Sequence, residues 1–376
     1  GIAGARERGP PHQQADHHAR SQAHPTPPPR RYSFVGTCAA VAARRGGRVG
    51  RGSLREDAIR FRIARTALHL PTRVETSAAL AARLGRSEDW IVSRTGVVER
   101  RVSDEPMAAM AARAVRGLGL GDDRPDLLIN ASLTPVQLIP DSSVFVLREL
   151  GWSGLPSFSV HHTCLSFLTA LQVAAGLVSG GAHRRIAVVS AEQGSVCRDF
   201  DEPESASLIG DGAAAALVEP ATGDEGFLGY ATGTWPEGSD LAELRGCGTA
   251  RHPNDPATVR GDNLFHMRGP RLWRLALEHA DDVLDRAFAQ ASLQREEIDL
   301  VIPHQASGPM VDLFPRFRFD DEKVVKIVRT TGNCIAASLP MALAEAEASG
   351  RLRRGMRVLL FGTGAGLSMT AAVLRF

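Results

Sequence analysis

Two stretches of this chain carry one pattern: "TCLSFLTALQVA" (Thr163 to Ala174) and "NCIAASLPMALA" (Asn333 to Ala344). Each sets a cysteine, Cys164 or Cys334, at the start of a helical run that is small and apolar on most sides. Helices of that composition sit between layers. Working outward, two further pairs match. "DLLINAS" (Asp126 to Ser132) answers "DLVIPHQAS" (Asp299 to Ser307), and "RRIAVVSA" (Arg184 to Ala191) answers "GMRVLLFGT" (Gly355 to Thr363). The separations Asp126–Asp299, Cys164–Cys334 and Ala187–Val358 are 173, 170 and 171 residues. A period this long is not that of a solenoid; it marks a duplicated α/β unit. Each copy reads as strand, helix, short strand, buried helix, strand, then a glycine turn into a last strand. Two sheets with a helical layer between them and helices outside are expected, with halves at 61–225 and 226–376.

The chain has 376 residues, 43% of them hydrophobic, enough for two domains or one large duplicated body. Cysteines 38, 164, 197, 247 and 334 form no C-x-x-C pair and no even framework. Free thiols in a reducing compartment, the cytoplasm, are expected. No apolar run approaches ~20 residues, so no membrane span is expected. Residues 1–60 hold eleven Arg against four acids, a net +7 in a chain of +2, which leaves the rest at −5. A mildly acidic body gives no reason to expect nucleic acid. "GPPHQQADHHARSQAHPTPPPRR" (Gly9 to Arg31) is polar, rich in Pro and His and without periodicity, and reads as a disordered basic extension. Its prolines argue against an amphipathic transit peptide. "YSFVGTCAAVAA" (Tyr32 to Ala43) gives a signal peptide only as the lesser reading.

At a helix start, N–H groups and the helix dipole stabilise anions. A thiol there is expected to have a lowered pKa and to act as a nucleophile. The competing reading of Cys164 is a small buried core residue. Cys334 occupies the matching place, so position does not separate the two. Polar company does. His304 directly follows an apolar strand, at the end where a parallel sheet opens to ligand. Asn333 sits at a cap position, free either to cap or to project into a pocket. Pseudo-twofold symmetry would bring both helix starts to one centre, where Cys164, His304 and Asn333 form a nucleophile facing two donors. His161 and His162 beside Cys164 face opposite ways on an extended segment, so no metal is expected.

From about Phe61 to Phe376 the chain resembles the β-ketoacyl-ACP synthase III group of the thiolase superfamily. The resemblance rests on six motifs in order: "DWIVSRTGVVERR" (Asp89 to Arg101), "SLIGDGAAAALV" (Ser207 to Val218), "FHMRG" (Phe265 to Gly269), "IPHQAS", "TTGNCIAASLP" and the closing "AVLRF". It implies a thiolase-like five-layer αβαβα sandwich with two mixed sheets around buried helices, and a homodimer. It implies acyl transfer from acyl-CoA or acyl-ACP to Cys164, then condensation with malonyl-ACP, without metal or cofactor. His304 and Asn333 would stabilise the enolate. Backbone N–H groups of Cys164 and of the turn Gly364, Ala365 and Gly366 would form the oxyanion hole. Trp90 would stack on the carrier's adenine, or else pack as an interface or core aromatic, and Arg94 would meet the carrier's phosphate.

Four positions depart from the family's pattern. Pro309 stands where an Arg helps dock the carrier protein, and "EPES" (Glu202 to Ser205) where a basic residue contacts coenzyme A. Thr363 stands where a Phe favours decarboxylation. Ile139 stands where a partner-subunit aromatic narrows the acyl pocket, which implies a roomier pocket. Pro309 and Thr363 keep a second reading open, a transferase that passes the acyl group to an oxygen or nitrogen nucleophile. Asn333 favours condensation, because simple transfer needs no enolate stabiliser. An inactive structural partner of a heterodimer is the most distant reading, since such partners lose the nucleophile.

Overall fold

The structure is a computed structural model that describes residues 59–376. The basic extension expected over 1–60 lies outside the described residues except for its last two. Those two already belong to the packed body: the Ile59 carbonyl accepts the Phe227 N–H at 3.2 Å and Arg60 bridges Gly226.

Nine strands build two sheets. The first half contributes β1 (Arg62–His69), β2 (Leu127–Asn130), β3 (Ser157–Ser159), β4 (Ile186–Gln193) and β5 (Asp211–Glu219), in the order β1-β5-β4-β2-β3. Strand β2 runs parallel to β3 and β4, while β5 is antiparallel to β1 and β4. The second half contributes β6 (Gly226–Thr234), β7 (Leu300–Pro303), β8 (Arg357–Gly364) and β9 (Ser368–Arg375), in the order β7-β8-β9-β6. Strands β7 and β8 are parallel and the other pairs antiparallel. Superposed by the repeat, β1, β5, β4 and β2 answer β6, β9, β8 and β7. The counterpart of β3 is reduced to one parallel bridge, Val301 to Val324. Strands such as "IAVVSAEQ" are apolar on both faces because both faces are covered.

Among the helices are α1 (Glu88–Thr95), α2 (Met107–Gly117), α3 (Ser142–Leu150), α4 (Ser166–Ser179), α5 (Gly269–Ala291) and α6 (Ser338–Ala348). Helices α4 and α6 are the two buried runs of the repeat. Their Leu168, Leu171, Leu339 and Leu343 share one core with Ile129 and Val188 of the first sheet and Ile302 and Leu360 of the second. Helices α2 and α3 cover the outer face of the first sheet, and α5 that of the second. Five layers result, αβαβα, as expected. Truncating one of the central leucines to Ala would cost about 2–5 kcal/mol. Earlier in the chain, Thr76 caps the helix Ser77–Leu84 through the Ala79 N–H at 3.1 Å, as its sequence foretells. Among the described residues no helix is long and apolar enough to cross a membrane.

Candidate active site

The two halves meet over one apolar cavity of about 490 Å³, and Cys164, His304 and Asn333 all line it. Each reaches it from the end of a regular element. Cys164 precedes α4 on a tight turn: the Leu165 N–H bonds the His162 carbonyl at 2.9 Å and the Ser166 N–H bonds that of Thr163 at 3.1 Å. Thr163 has φ 47°, a costly conformation for a β-branched residue, of order 1–3 kcal/mol. Strain of that kind gathers where side chains must be aimed. The turn closes against β8 because residue 364 is glycine; a Cβ there would lie 2.4 Å from Thr163 Oγ1.

The thiol's electrostatics correct the sequence reading. Cys164 is pushed up to about 12, not lowered. Burial is the largest cause and the buried Glu192 carboxylate the second; N–H groups of Ala365 and of Cys164 itself pull the other way. Helix α4 starts only at Ser166, and its dipole does not outweigh desolvation. The N–H donors that face the sulfur belong to the groups expected to form the oxyanion hole, Cys164 and the Gly364–Ala365–Gly366 turn. Gly364 and Ala365 line the cavity.

His304 follows β7 directly, and its N–H bonds the Phe361 carbonyl of β8 at 2.7 Å. Burial lowers its pKa to about 4, so the imidazole is neutral at pH 7. Among the described residues Nδ1 is enclosed without a partner, which leaves Nε2 for the cavity. Asn333 takes both roles left open by the sequence. Its Oδ1 accepts the Ile335 N–H at 2.8 Å and the Ser338 hydroxyl at 3.3 Å, capping the turn before α6. Its Nδ2 donates to the Ala306 carbonyl at 3.1 Å and keeps a second hydrogen. Cys334 is fully buried among Ala214, Ala337 and Met341, so the second copy of the cysteine is core.

The rim carries Arg94, the only Lys or Arg among the lining residues, and Glu204, the only carboxylate there, 4.0 Å apart. Arg94 ends α1, whose C-cap Gly96 packs on Gly308; a Cβ on Gly96 would lie 2.5 Å from the Gly308 Cα. That contact fixes the arginine's helix to the loop after His304. Trp90 is not among the cavity's lining. It is half-buried beside Leu80, Leu84 and Ile91, with the Arg86 guanidinium 5.3 Å over its ring. Pro309 and Thr363 both line the cavity. Ile139 stands 84% exposed, outside its own chain's cavity. Sequence reasoning quoted Phe265 and Met267 within a motif but gave them no place in the site, and missed Leu244 and Trp273, because 237–287 lies outside the three matched segments of the repeat. It also missed Cys197 and Thr134, which line the cavity, and Glu192 behind it.

A thiol, an imidazole, a carboxamide and two N–H groups converge on one apolar cavity between the halves, an arrangement suited to acyl transfer. Comparison with known proteins agrees. A family model described as 3-oxoacyl-[acyl-carrier-protein (ACP)] synthase III matches residues 158–236, and its C-terminal counterpart matches 288–376. The β-ketoacyl-[acyl-carrier-protein] synthase III of Aquifex aeolicus is 32% identical over 319 residues, covering 83% of this chain and 98% of that protein. The Brucella suis protein of the same name is 34% identical, covering 82% and 96%. The crystal structure of 3-oxoacyl-[acyl-carrier-protein] synthase III from Aquifex aeolicus superposes with a TM-score of 0.76 at 29% identity, covering 84% of this chain and all of that one. The chain belongs to the β-ketoacyl-ACP synthase III family.

Proposed function

We propose that this enzyme takes an acyl group from a thioester carrier onto Cys164 and condenses it with a malonyl unit held on acyl carrier protein, in fatty-acid or polyketide synthesis. One observation carries the reading: Cys164 from one half and His304 with Asn333 from the other face a single apolar cavity. In the first step Sγ attacks the thioester carbonyl while its proton passes to the departing carrier thiolate. The tetrahedral oxyanion is held by N–H groups of Cys164 and Ala365. With the thiol pushed up to about 12, the proton leaves as the S–C bond forms, not before. In the second step the malonyl group loses CO₂. Its enolate oxygen accepts from a neutral His304 N–H and the free Asn333 Nδ2–H, its carbon attacks the acyl carbonyl, and the Cys164 sulfur departs. No step calls for a metal or cofactor.

Pro309 and Thr363 in the lining support the second reading, transfer of the acyl group to an oxygen or nitrogen nucleophile. Intact-mass measurement after incubation with acyl-CoA and acyl-carrier thioesters tests the first step. An adduct lost in Cys164→Ser is expected; none with any donor would defeat the proposal. Release of CO₂ from malonyl carrier protein then separates condensation from transfer.

A cytoplasmic homodimer completes the reading. Strand β3 is an open sheet edge, and beside it Val136, Leu138, Ile139, Val144 and Phe158 are exposed apolar side chains of a kind that a partner would cover. Ile139 would then face the partner's acyl pocket, and light scattering should give twice the chain mass. The described cysteines are all free, in keeping with a reducing compartment.

A further inference from the structure

Glu192, the last residue but one of β4, lies fully buried behind the cavity, and no step above uses it. Its neighbours are donors and thiols. The Leu133 N–H donates to Oε1 at 2.5 Å; Thr134 gives Oε2 its N–H at 3.2 Å and its hydroxyl at 2.7 Å. From the second half, the Ile335–Ala337 turn packs on the same strand end, where a Cβ on Gly194 would lie 2.8 Å from Ile335 Cδ1, and the Ala336 N–H is turned toward the carboxylate without closing to a hydrogen bond. Among the described residues no cation offsets its charge, and the group is pushed up to about 7 by burial. Burial raises the thiols of Cys164, Cys197 and Cys334, and the Glu192 charge adds to it, with that of Asp211 contributing at the last two.

A carboxylate without a cation costs several kcal/mol to bury. An apolar or amide side chain would be cheaper, so its retention asks for a reason in geometry. An ionised carboxylate accepts in about four directions at once, which no neutral side chain of that size does. Here those directions gather one segment of the site, Leu133–Thr134, onto a strand end that packs on another. Leu133 and Thr134 line one wall of the cavity; Asn333 and Ile335 line another, on the turn that includes Ala336. The β4 strand supplies the fixed point between them.

We propose that Glu192 is a positioning residue for the condensing step: it binds the Leu133–Thr134 wall to the end of β4, on which the Asn333–Ala336 turn of the other half packs, and so holds the Asn333 amide at working distance from the acyl group on Cys164. The inference rests on the reading that Cys164 is acylated and Asn333 meets an enolate. It assigns Glu192 no contact with substrate.

The test compares half-reactions in Glu192→Gln, whose amide accepts at one atom and repels donors at the other. Intact mass follows acylation of Cys164, CO₂ release follows condensation, and thermal melting checks the fold. Acylation within about threefold of wild type with condensation down about tenfold or more is expected, since ångström-scale misplacement costs up to about 10²-fold. Condensation within threefold of wild type, or both half-reactions falling equally, would overturn it. Should Glu192→Gln not fold, Thr134→Ala must show the same split and Thr134→Ser must restore condensation; failure of either overturns it. A wild-type chain that never forms the adduct defeats the functional reading. Glu192 is then judged by iodoacetamide alkylation of Cys164 against pH: a midpoint moved to lower pH in Glu192→Gln supports its place beside the thiol, and an unmoved one overturns it.

Discussion

Cys164 and Cys334 began as copies of one position and now differ in everything but sequence register. Cys164 sits on a strained turn at a cavity, with N–H groups facing its sulfur. Cys334 is fully buried, its thiol 3.5 Å from the Thr331 carbonyl, and packs on Met341. The difference lies less in the cysteines than in what the opposite half presents to each. His304 and Asn333 of the second half face Cys164; the first-half positions that answer them carry no histidine. Duplication supplied two helix starts, and only one gained donors.

The comparison is easiest to break at the thiols. Cys164→Ala should abolish the acyl adduct, while Cys334→Ser should keep it and lose about 1–3 kcal/mol of stability through a poorly satisfied hydroxyl. Intact mass and chemical denaturation read both; an adduct that follows Cys334 would reverse the assignment. Next, His304→Ala or Asn333→Ala should cut condensation by about 10²–10³-fold with acylation retained, as for loss of a preorganised donor. Stopped-flow acylation against steady-state turnover separates the two.

The donor half also has a pH signature. His304 falls to about 4 in the folded protein from an ordinary 6.5, because burial disfavours its charged form. Its contribution is therefore complete above about pH 6.5 and lost as pH falls through about 4, a loss of roughly 3 kcal/mol. Melting between pH 7 and pH 4 should drop more steeply in wild type than in His304→Gln. Equal slopes would mean that the imidazole is not buried as described. The smallest effect belongs to the rim. Glu204→Arg would free Arg94 and add a cation, and should raise kcat/KM for acyl-CoA a few-fold at low salt, an advantage that fades as salt rises.

Much of this was legible before the structure. Three matched segments at nearly one separation gave two halves and a central pair of helices, because burial on all sides leaves a compositional mark. That Cys164, His304 and Asn333 share one cavity was legible because each lies at or just beside the end of a regular element. Glu192 was not. In "IAVVSAEQ" it reads as the polar residue where a strand surfaces, and nothing local says that it turns inward to collect donors from the distant Leu133–Thr134 segment. A signal was available in the repeat, where its counterpart is the cavity-lining Thr363. The thiol's raised pKa was hidden for a similar reason: a helix start is local, whereas desolvation is a property of everything packed around it.

The contact of Gly364 with the Thr163 turn bears on how such a protein can change over generations. One added methyl group on the second half would strike Thr163, on the turn that carries Cys164 on the first. The descendants of the duplication are thereby bound to a shared history. Neither copy can explore larger residues at this seam alone, and a gain on one side must wait for a concession on the other.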